Sequence, residues 1–132
     1  MKAFVTGATG FLGINLIKQL CALKWTVVGF CRPTADLTPL DDCNVDWRKG
    51  QLTNKSDLDA AIDDDVDVIF HLAGDTNMWS KNNEAQFAVN VTATQYLLEI
   101  ATTKHIAKFI HTSSISAYGF HDEVIDETTP SK

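Results

Sequence analysis

The sequence predicts an α/β protein with a doubly wound parallel sheet, that is, a sheet with helices on both faces. Short apolar runs alternate with longer amphipathic stretches along the chain. Parallel strands need crossover connections, which helices supply, so this alternation indicates repeated strand–helix–strand units. The second observation is a glycine-rich turn, Gly7–Gly13, between the first apolar run and the first amphipathic stretch. A length of 132 residues suits one such domain.

The composition argues against several functional classes. With 45% hydrophobic and 21% charged residues, it is typical of globular proteins. A formal net charge of −6 argues against nucleic acid or an anionic membrane as a partner. No apolar run is long enough for a membrane span and the start lacks a signal-peptide pattern, so we expect a cytoplasmic protein. The three cysteines are odd in number and form no Cys-x-x-Cys pair, which favours structural thiols and no metal site.

The first part of the chain predicts a strand, a helix and a second strand. Lys2–Thr6 has the character of a short strand and stops at the glycine-rich turn. From Phe11 to about Leu23, apolar residues recur at helical spacing. Thr26–Cys31 is the second strand, and Pro33 ends it because proline has no N–H to donate.

The middle of the chain continues the alternation after an irregular stretch. Val45–Trp47 predicts a short third strand. A helix is expected from Thr53 to about Ile62, with Thr53 or Ser56 as its N-cap residue. Val66–His71 is apolar enough for a fourth strand that is buried on both faces.

The last part of the chain contains the longest predicted helix, Asn83–Thr103. Its apolar face is broader than one sheet face requires and includes Phe87, Val91, Leu98 and Ala101. Lys108–Thr112 is the fifth predicted strand, and no further element is expected after Gly119.

The glycine-rich turn reads Thr6-Gly7-Ala8-Thr9-Gly10-Phe11-Leu12-Gly13. Glycines at this spacing allow a tight turn, let backbone N–H groups approach a pyrophosphate, and let the helix pack closely on the strand. The helix N-terminus then presents its unpaired N–H groups to the phosphates. A strand before the turn and a helix after it favour dinucleotide binding. The alternative is a plain strand-to-helix turn.

This turn and three later segments resemble the extended short-chain dehydrogenases/reductases, which include sugar epimerases and dihydroflavonol reductases. The pattern Gly7-x-x-Gly10-x-x-Gly13 is similar to the family's fingerprint. His71-Leu72-Ala73-Gly74 resembles the family's segment that lies along the cofactor. Asn90-Val91-Thr92-Ala93-Thr94 resembles the helix segment that carries a structural asparagine. Thr112-Ser113-Ser114, followed by Tyr118-Gly119, resembles the end of the family's fifth strand. The resemblance covers nearly the whole chain and is nearest to dihydroflavonol-reductase-like proteins. It implies a Rossmann-type domain with strand order 3-2-1-4-5.

The resemblance also implies which residues form the site. The cofactor-binding candidates are Gly7, Thr9, Gly10, Phe11, Leu12, Gly13, Arg32, Gln51, Leu52, Leu72, Ala73, Gly74 and Thr112. Ser114, four residues before Tyr118, is the catalytic candidate, whose hydroxyl orients a substrate carbonyl or alcohol in the family. The alternative is that Ser114 is an ordinary turn hydroxyl, since Thr-Ser-Ser after a strand is common in loops.

The predicted preference for NADP(H) or NAD(H) depends on Arg32. In NAD-preferring relatives an acidic residue closes the second strand and accepts hydrogen bonds from the ribose 2′-hydroxyl. Here Cys31-Arg32 stands at that place without an adjacent carboxylate. A guanidinium suits a 2′-phosphate, so we predict NADP(H) over NAD(H); the alternative is a surface arginine without a role. Gln51 stands where the family usually has an aspartate beside the adenine.

The family's catalytic Tyr-x-x-x-Lys pair does not occur in the sequence. Tyr118 is followed at that interval by Asp122, and Lys132 is preceded by Thr128. In the family this pair lies on the next helix. We therefore expect residues 1–132 to form the dinucleotide-binding domain without its substrate domain, and to be inactive alone.

The predicted function of the whole protein is NADP-dependent, reversible hydride transfer at a secondary alcohol or ketone of a small molecule. Two alternatives stay open: a nucleotide-sugar epimerase or dehydratase, which shares these motifs, and a non-catalytic dinucleotide sensor. The broad apolar face of the 83–103 helix predicts a homodimer.

Overall fold

The structure, a computed structural model, describes residues 1–77 and 83–130. Its sheet has five parallel strands in the order β3-β2-β1-β4-β5, which confirms the predicted doubly wound fold. The strands are β1 (Lys2–Thr6), β2 (Thr26–Cys31), β3 (Val45–Lys49), β4 (Val68–His71) and β5 (Lys108–His111). The helices are α1 (Phe11–Ala22), α2 (Lys55–Ala61), α3 (Asn83–Phe87) and α4 (Ala93–Thr103).

Alternating residues of the central strands pack against helices on opposite faces of the sheet. Phe4 of β1 belongs to the cluster that includes Leu58 of α2 and Leu97 of α4. Val5, the next residue, belongs to the cluster that includes Ile17 and Leu20 of α1. β1 is therefore buried on both faces, and α1 lies on the face opposite to α2 and α4.

The start of α2 differs from the prediction. The N-cap residue is Asn54, whose side-chain oxygen accepts a hydrogen bond of 3.0 Å from the Ser56 N–H. Neither Thr53 nor Ser56 caps the helix, because the Asn54 carboxamide reaches the first-turn N–H from the preceding residue in extended conformation. β4 likewise begins at Val68 and not at Val66, whose N–H instead closes a turn to the Asp63 carbonyl.

The predicted long helix contains a π turn. Ala88–Thr92 forms this wider turn between α3 and α4, and the Ala93 N–H bonds to the Ala88 carbonyl. The extra residue rotates the preceding turn by about 100° relative to the following one. Phe87 is therefore 59% exposed, although the helical pattern placed it on the buried face.

The buried face of α4 is narrower than predicted. Ala93, Leu97, Ile100 and Ala101 are buried, whereas Leu98 is 45% exposed. Among the helices of the described residues, none combines the length and the apolar character needed to cross a bilayer.

Candidate functional site

An open cleft of about 660 Å³ lies at the carboxyl ends of the central strands. The chain leaves β1 toward β2 on one side, while β4 lies on the other, so the cleft is at the point where the strand order reverses. Ligands of open α/β sheets bind at this place. The cleft is lined by Gly7, Thr9, Gly10, Phe30, Cys31, Arg32, Gly50, Gln51, Leu52, Thr53, Leu72, Ala73, Gly74, Asp75, Thr76 and Val89.

The glycine-rich turn forms one side of the cleft. Gly7 has φ +69°, a left-handed conformation. The Gly10 N–H donates a 3.0 Å hydrogen bond to the Gly7 carbonyl, and this bond closes the turn. Gly10 is the N-cap residue of α1, and a Cβ on Gly13 would overlap the Gly7 carbonyl. The first-turn N–H groups of α1 have no acceptor within the helix, and no acidic side chain occupies that turn. A backbone cradle of this kind, with no room for side chains, fits a pyrophosphate.

Arg32 lies where β2 ends, at the far side of the cleft from β4. Its side chain is exposed, and within residues 1–77 and 83–130 the guanidinium makes no ion pair or hydrogen bond. The preceding Cys31 is buried, and burial raises the pKa of its thiol. The guanidinium is thus the charged group that the end of β2 offers to a ligand.

The loop after β3 forms the wall next to Arg32. Gly50 packs against Phe30 and Asp57, where a Cβ would lie 2.9 Å from each side chain. The Gln51 N–H donates a 2.8 Å hydrogen bond to the Asp57 carboxylate. This bond fixes the backbone of the loop and leaves the exposed Gln51 side chain at the cleft.

The segment after β4, Leu72–Asp75, forms the opposite wall. The Ala73 N–H lies 3.3 Å from the Thr6 Oγ1, to which it donates. The Asn90 side chain holds Asp75 at both backbone groups, accepting from its N–H at 2.7 Å and donating to its carbonyl at 2.9 Å. Asn90 lies in the π turn, so this turn supports the wall. The resemblance had implied a structural role for Asn90.

His71 lies under this wall and is fully buried. Its ring contacts the hydroxyl groups of Thr6 and Thr94 and stacks on His111, with ring centroids 5.1 Å apart. Burial, and to a smaller extent the neighbouring His111, lower the pKa of His71 from its ordinary value to about 4. The imidazole is therefore neutral at physiological pH.

The cleft brings together nine of the thirteen predicted cofactor-binding residues: Gly7, Thr9, Gly10, Arg32, Gln51, Leu52, Leu72, Ala73 and Gly74. The other four, Phe11, Leu12, Gly13 and Thr112, do not line it. Phe11 and Leu12 are 83% and 53% exposed at the start of α1. Gly13 instead packs under the turn, and the Thr112 N–H bonds to the His71 carbonyl. The roles of these residues in cofactor binding stay predictions.

Ser114 lies after β5 and does not line the cleft. It is exposed and caps the short 3-10 helix Ile115–Tyr118, where its Oγ accepts a 3.2 Å hydrogen bond from the Ser116 N–H. This contact is the one expected of a turn hydroxyl, and it leaves the Ser114 hydrogen available to a ligand. The catalytic role of Ser114 stays a prediction.

Seven lining residues were not among the candidates: Phe30, Cys31, Gly50, Thr53, Asp75, Thr76 and Val89. Six of them directly adjoin predicted residues or lie one position further along the chain, so extending each motif by two residues would have found them. Val89 lies in the π turn directly before the Asn90–Thr94 segment, so extending that segment would have found it as well.

Comparisons with known proteins agree with this geometry. The model of the NAD dependent epimerase/dehydratase family matches residues 3–132. The chain is 34% identical over 116 residues to a Synechocystis sp. protein named "Putative dihydroflavonol 4-reductase", covering 88% of this chain and 33% of that protein. It is 31% identical to the 2-alkyl-3-oxoalkanoate reductase of Shewanella oneidensis, covering 97% of this chain and 33% of that one. The chain thus spans about a third of the length of these relatives.

Solved structures give the same result. The UDP-glucuronic acid 4-epimerase of Bacillus cereus in complex with NAD superposes with a TM-score of 0.79 at 30% identity, over 100% of this chain and 46% of that one. A short-chain dehydrogenase/reductase superfamily protein of Agrobacterium tumefaciens with bound NAD gives 0.83 at 27% identity, over 100% of this chain and 39% of that one. The chain belongs to the NAD-dependent epimerase/dehydratase family, the extended short-chain dehydrogenases/reductases, whose members use NAD(P).

Proposed function

We propose that this chain is the dinucleotide-binding part of an NADP(H)-dependent oxidoreductase that reversibly transfers hydride at a secondary alcohol or ketone of a small molecule. Two of the relatives are named as reductases, which supports this activity. The bound dinucleotide supplies the hydride. The residues of this chain bind and orient it.

Arg32 is the residue that supports NADP(H) as the cofactor. It is a cation where β2 ends that has no ion-pair or hydrogen-bond partner among the described residues, and no carboxylate neighbours it in the sequence to accept hydrogen bonds from a ribose 2′-hydroxyl. A carboxylate there would repel a 2′-phosphate, whereas a guanidinium binds one through charge-assisted hydrogen bonds. One such contact is worth roughly 1.5–3 kcal/mol, or about a tenfold to hundredfold preference.

Ser114 is the residue of this chain that we propose to act on the substrate. It follows β5, at the same carboxyl edge of the sheet as the cleft. Its hydroxyl hydrogen can be donated to a substrate oxygen while its Oγ keeps the bond from the Ser116 N–H. A hydroxyl in this arrangement orients a carbonyl and stabilises the negative charge that develops on its oxygen as hydride arrives.

The test follows NADPH oxidation by the intact protein against a panel of small ketones. We expect turnover in wild type, and a loss of about a hundredfold in kcat for Ser114→Ala, the usual effect of removing a hydrogen-bond donor at such an oxygen. Ser113→Ala, a change at the exposed neighbouring residue, is the matched control and should leave kcat within about twofold. Absence of turnover with every ketone, together with epimerisation of a nucleotide sugar without net cofactor consumption, would favour the epimerase alternative and overturn the proposal.

A further inference from the structure

The buried histidine at the end of β4 connects two threonines from distant parts of the chain. His71 Nδ1 lies 2.7 Å from the Oγ1 of Thr6, the residue before the glycine-rich turn. His71 Nε2 lies 2.9 Å from the Oγ1 of Thr94, in the first turn of α4. The imidazole therefore joins β1, β4 and α4 directly beneath the cleft.

The hydrogen bonds around Thr94 determine the tautomer of His71. The Thr94 hydroxyl donates to the Asn90 carbonyl at 2.8 Å, and a carbonyl oxygen can only accept. Because a hydroxyl has one hydrogen, the bond between Thr94 and His71 takes its hydrogen from Nε2. In the neutral ring Nδ1 then has none and accepts from Thr6.

The residues that His71 contacts are connected to the Leu72–Asp75 wall at two places. On one side, the Thr6 Oγ1, oriented by His71, accepts the Ala73 N–H at 3.3 Å. On the other side, the Asn90 side chain holds both backbone groups of Asp75. Hydrogen bonds therefore lead from Ala73 through Thr6, His71 and Thr94 to the backbone carbonyl of Asn90, and the side chain of the same Asn90 holds Asp75.

We propose that His71 is a positioning residue of the nucleotide site: through Thr6 and Thr94 it holds the Leu72–Asp75 wall at the distance from the Gly7 turn that a nicotinamide dinucleotide requires. The bond between Thr6 and His71 at the centre of this network is buried, and a buried hydrogen bond whose groups are satisfied is rigid. A wall that is already in place costs less to order when the ligand binds. The inference rests on the proposed function only for the ligand class, since either dinucleotide would contact this wall.

The test removes one hydrogen bond at a time and compares a long ligand with a short one. Thr94→Val removes the hydroxyl with little change in shape, and His71→Phe removes both ring contacts. In the intact protein we measure the Kd for NADPH and for adenosine 2′,5′-bisphosphate, which lacks the nicotinamide half that the wall would contact. Thr102→Val is the matched control, because Thr102 makes the same 2.8 Å bond to a preceding carbonyl on α4, away from the cleft.

We expect Thr94→Val and His71→Phe to raise the Kd for NADPH about tenfold, and the Kd for the bisphosphate less than twofold. Thr102→Val should change neither. Unchanged NADPH binding in Thr94→Val would overturn the inference, and so would equal losses for both ligands, since those indicate a general structural defect.

Two further results separate this inference from the proposed function. If wild type prefers NADH, the NADP(H) proposal fails, and the same variants are then titrated with NADH and adenosine 5′-monophosphate. If wild type binds neither dinucleotide, the proposed function and the inference both fail. Independently of ligand binding, NMR chemical shifts of the imidazole nitrogens test the tautomer on which the inference rests. A hydrogen on Nε2 at neutral pH supports the network, whereas a hydrogen on Nδ1 overturns it.

Discussion

Gly7 and Ala73 approach each other so closely at the base of the cleft that a Cβ on Gly7 would lie 2.7 Å from the Ala73 backbone nitrogen. Gly7 also has φ +69°, which residues with a side chain rarely adopt. The obstructing atoms belong to the backbone of the neighbouring strand end, so no change of rotamer can relieve the overlap. Glycine at this position is therefore required twice, for conformation and for space.

Gly7→Ala should lower the free energy of unfolding by about 2 kcal/mol or more, because backbone strain and steric overlap add. Gly74→Ala is the matched control, since the nearest atom to its added Cβ would be the Asn90 Oδ1 at 3.5 Å, an ordinary contact. Its change should stay within about 0.5 kcal/mol. Urea unfolding of both variants measures the difference, and equal losses would contradict the close approach of Gly7 and Ala73.

The stability of the fold should decrease in mild acid because of His71. Its folded-state pKa is lowered to about 4, whereas an unfolded histidine titrates near 6.5. Below pH 6.5 the unfolded chain binds a proton at His71 that the folded chain does not bind. The contribution of His71 to the free energy of unfolding is therefore fully present above this pH and is lost as the pH falls toward 4. At pH 5 the loss should be about 2 kcal/mol relative to pH 7.5.

Urea unfolding at the two pH values measures this loss. In His71→Gln, which has no titratable ring, the difference should shrink by most of that amount. The control is His105→Asn, a change at an exposed residue with φ +54° that asparagine tolerates, and it should retain the wild-type difference. A wild-type stability that is equal at both pH values would contradict a neutral, buried His71.

We propose that the intact protein forms a homodimer through the helix that starts at α3 and ends with α4. Phe87 and Leu98 on this helix are 59% and 45% exposed, so its apolar face extends beyond the part that the sheet buries. Leu98→Lys should weaken the dimer, because a charge would be buried against apolar surface. The control is Leu23→Lys, at a leucine after α1 that is 67% exposed. Sedimentation at tens of micromolar, an order-of-magnitude choice for a weak interface, should show a dimer in wild type, and a monomer there would contradict the proposal.

The sequence was sufficient for the fold because the central strands β1, β2 and β4 are mostly buried and the first two end at clear local signals. β1 and β2 begin and end where predicted, β1 at the glycine-rich turn and β2 before Pro33. The N-cap of α2 was missed because Thr53, Asn54 and Ser56 are all good cap residues, and only the backbone conformation selects among them.

The part of the site that depends on local motifs could also be predicted. The Gly7–Gly13 spacing determines its own turn, and Arg32 follows from where β2 ends. The support of the opposite wall could not be predicted, because it depends on contacts between residues far apart in sequence. Thr6 and Thr94 meet His71 across 65 and 23 positions, and the π turn that carries Asn90 has an ordinary helical pattern.

The most direct test of the central claim is calorimetric titration of the intact protein with NADPH and with NADH, in wild type and in Arg32→Ala. We expect wild type to bind NADPH about tenfold to hundredfold more tightly than NADH, and Arg32→Ala to lose this preference with little change in NADH affinity. Lys49→Ala, a change at an exposed cation on the neighbouring strand β3 that does not line the cleft, is the control and should keep the preference. Equal wild-type affinities, or a preference for NADH that survives Arg32→Ala, would contradict the account.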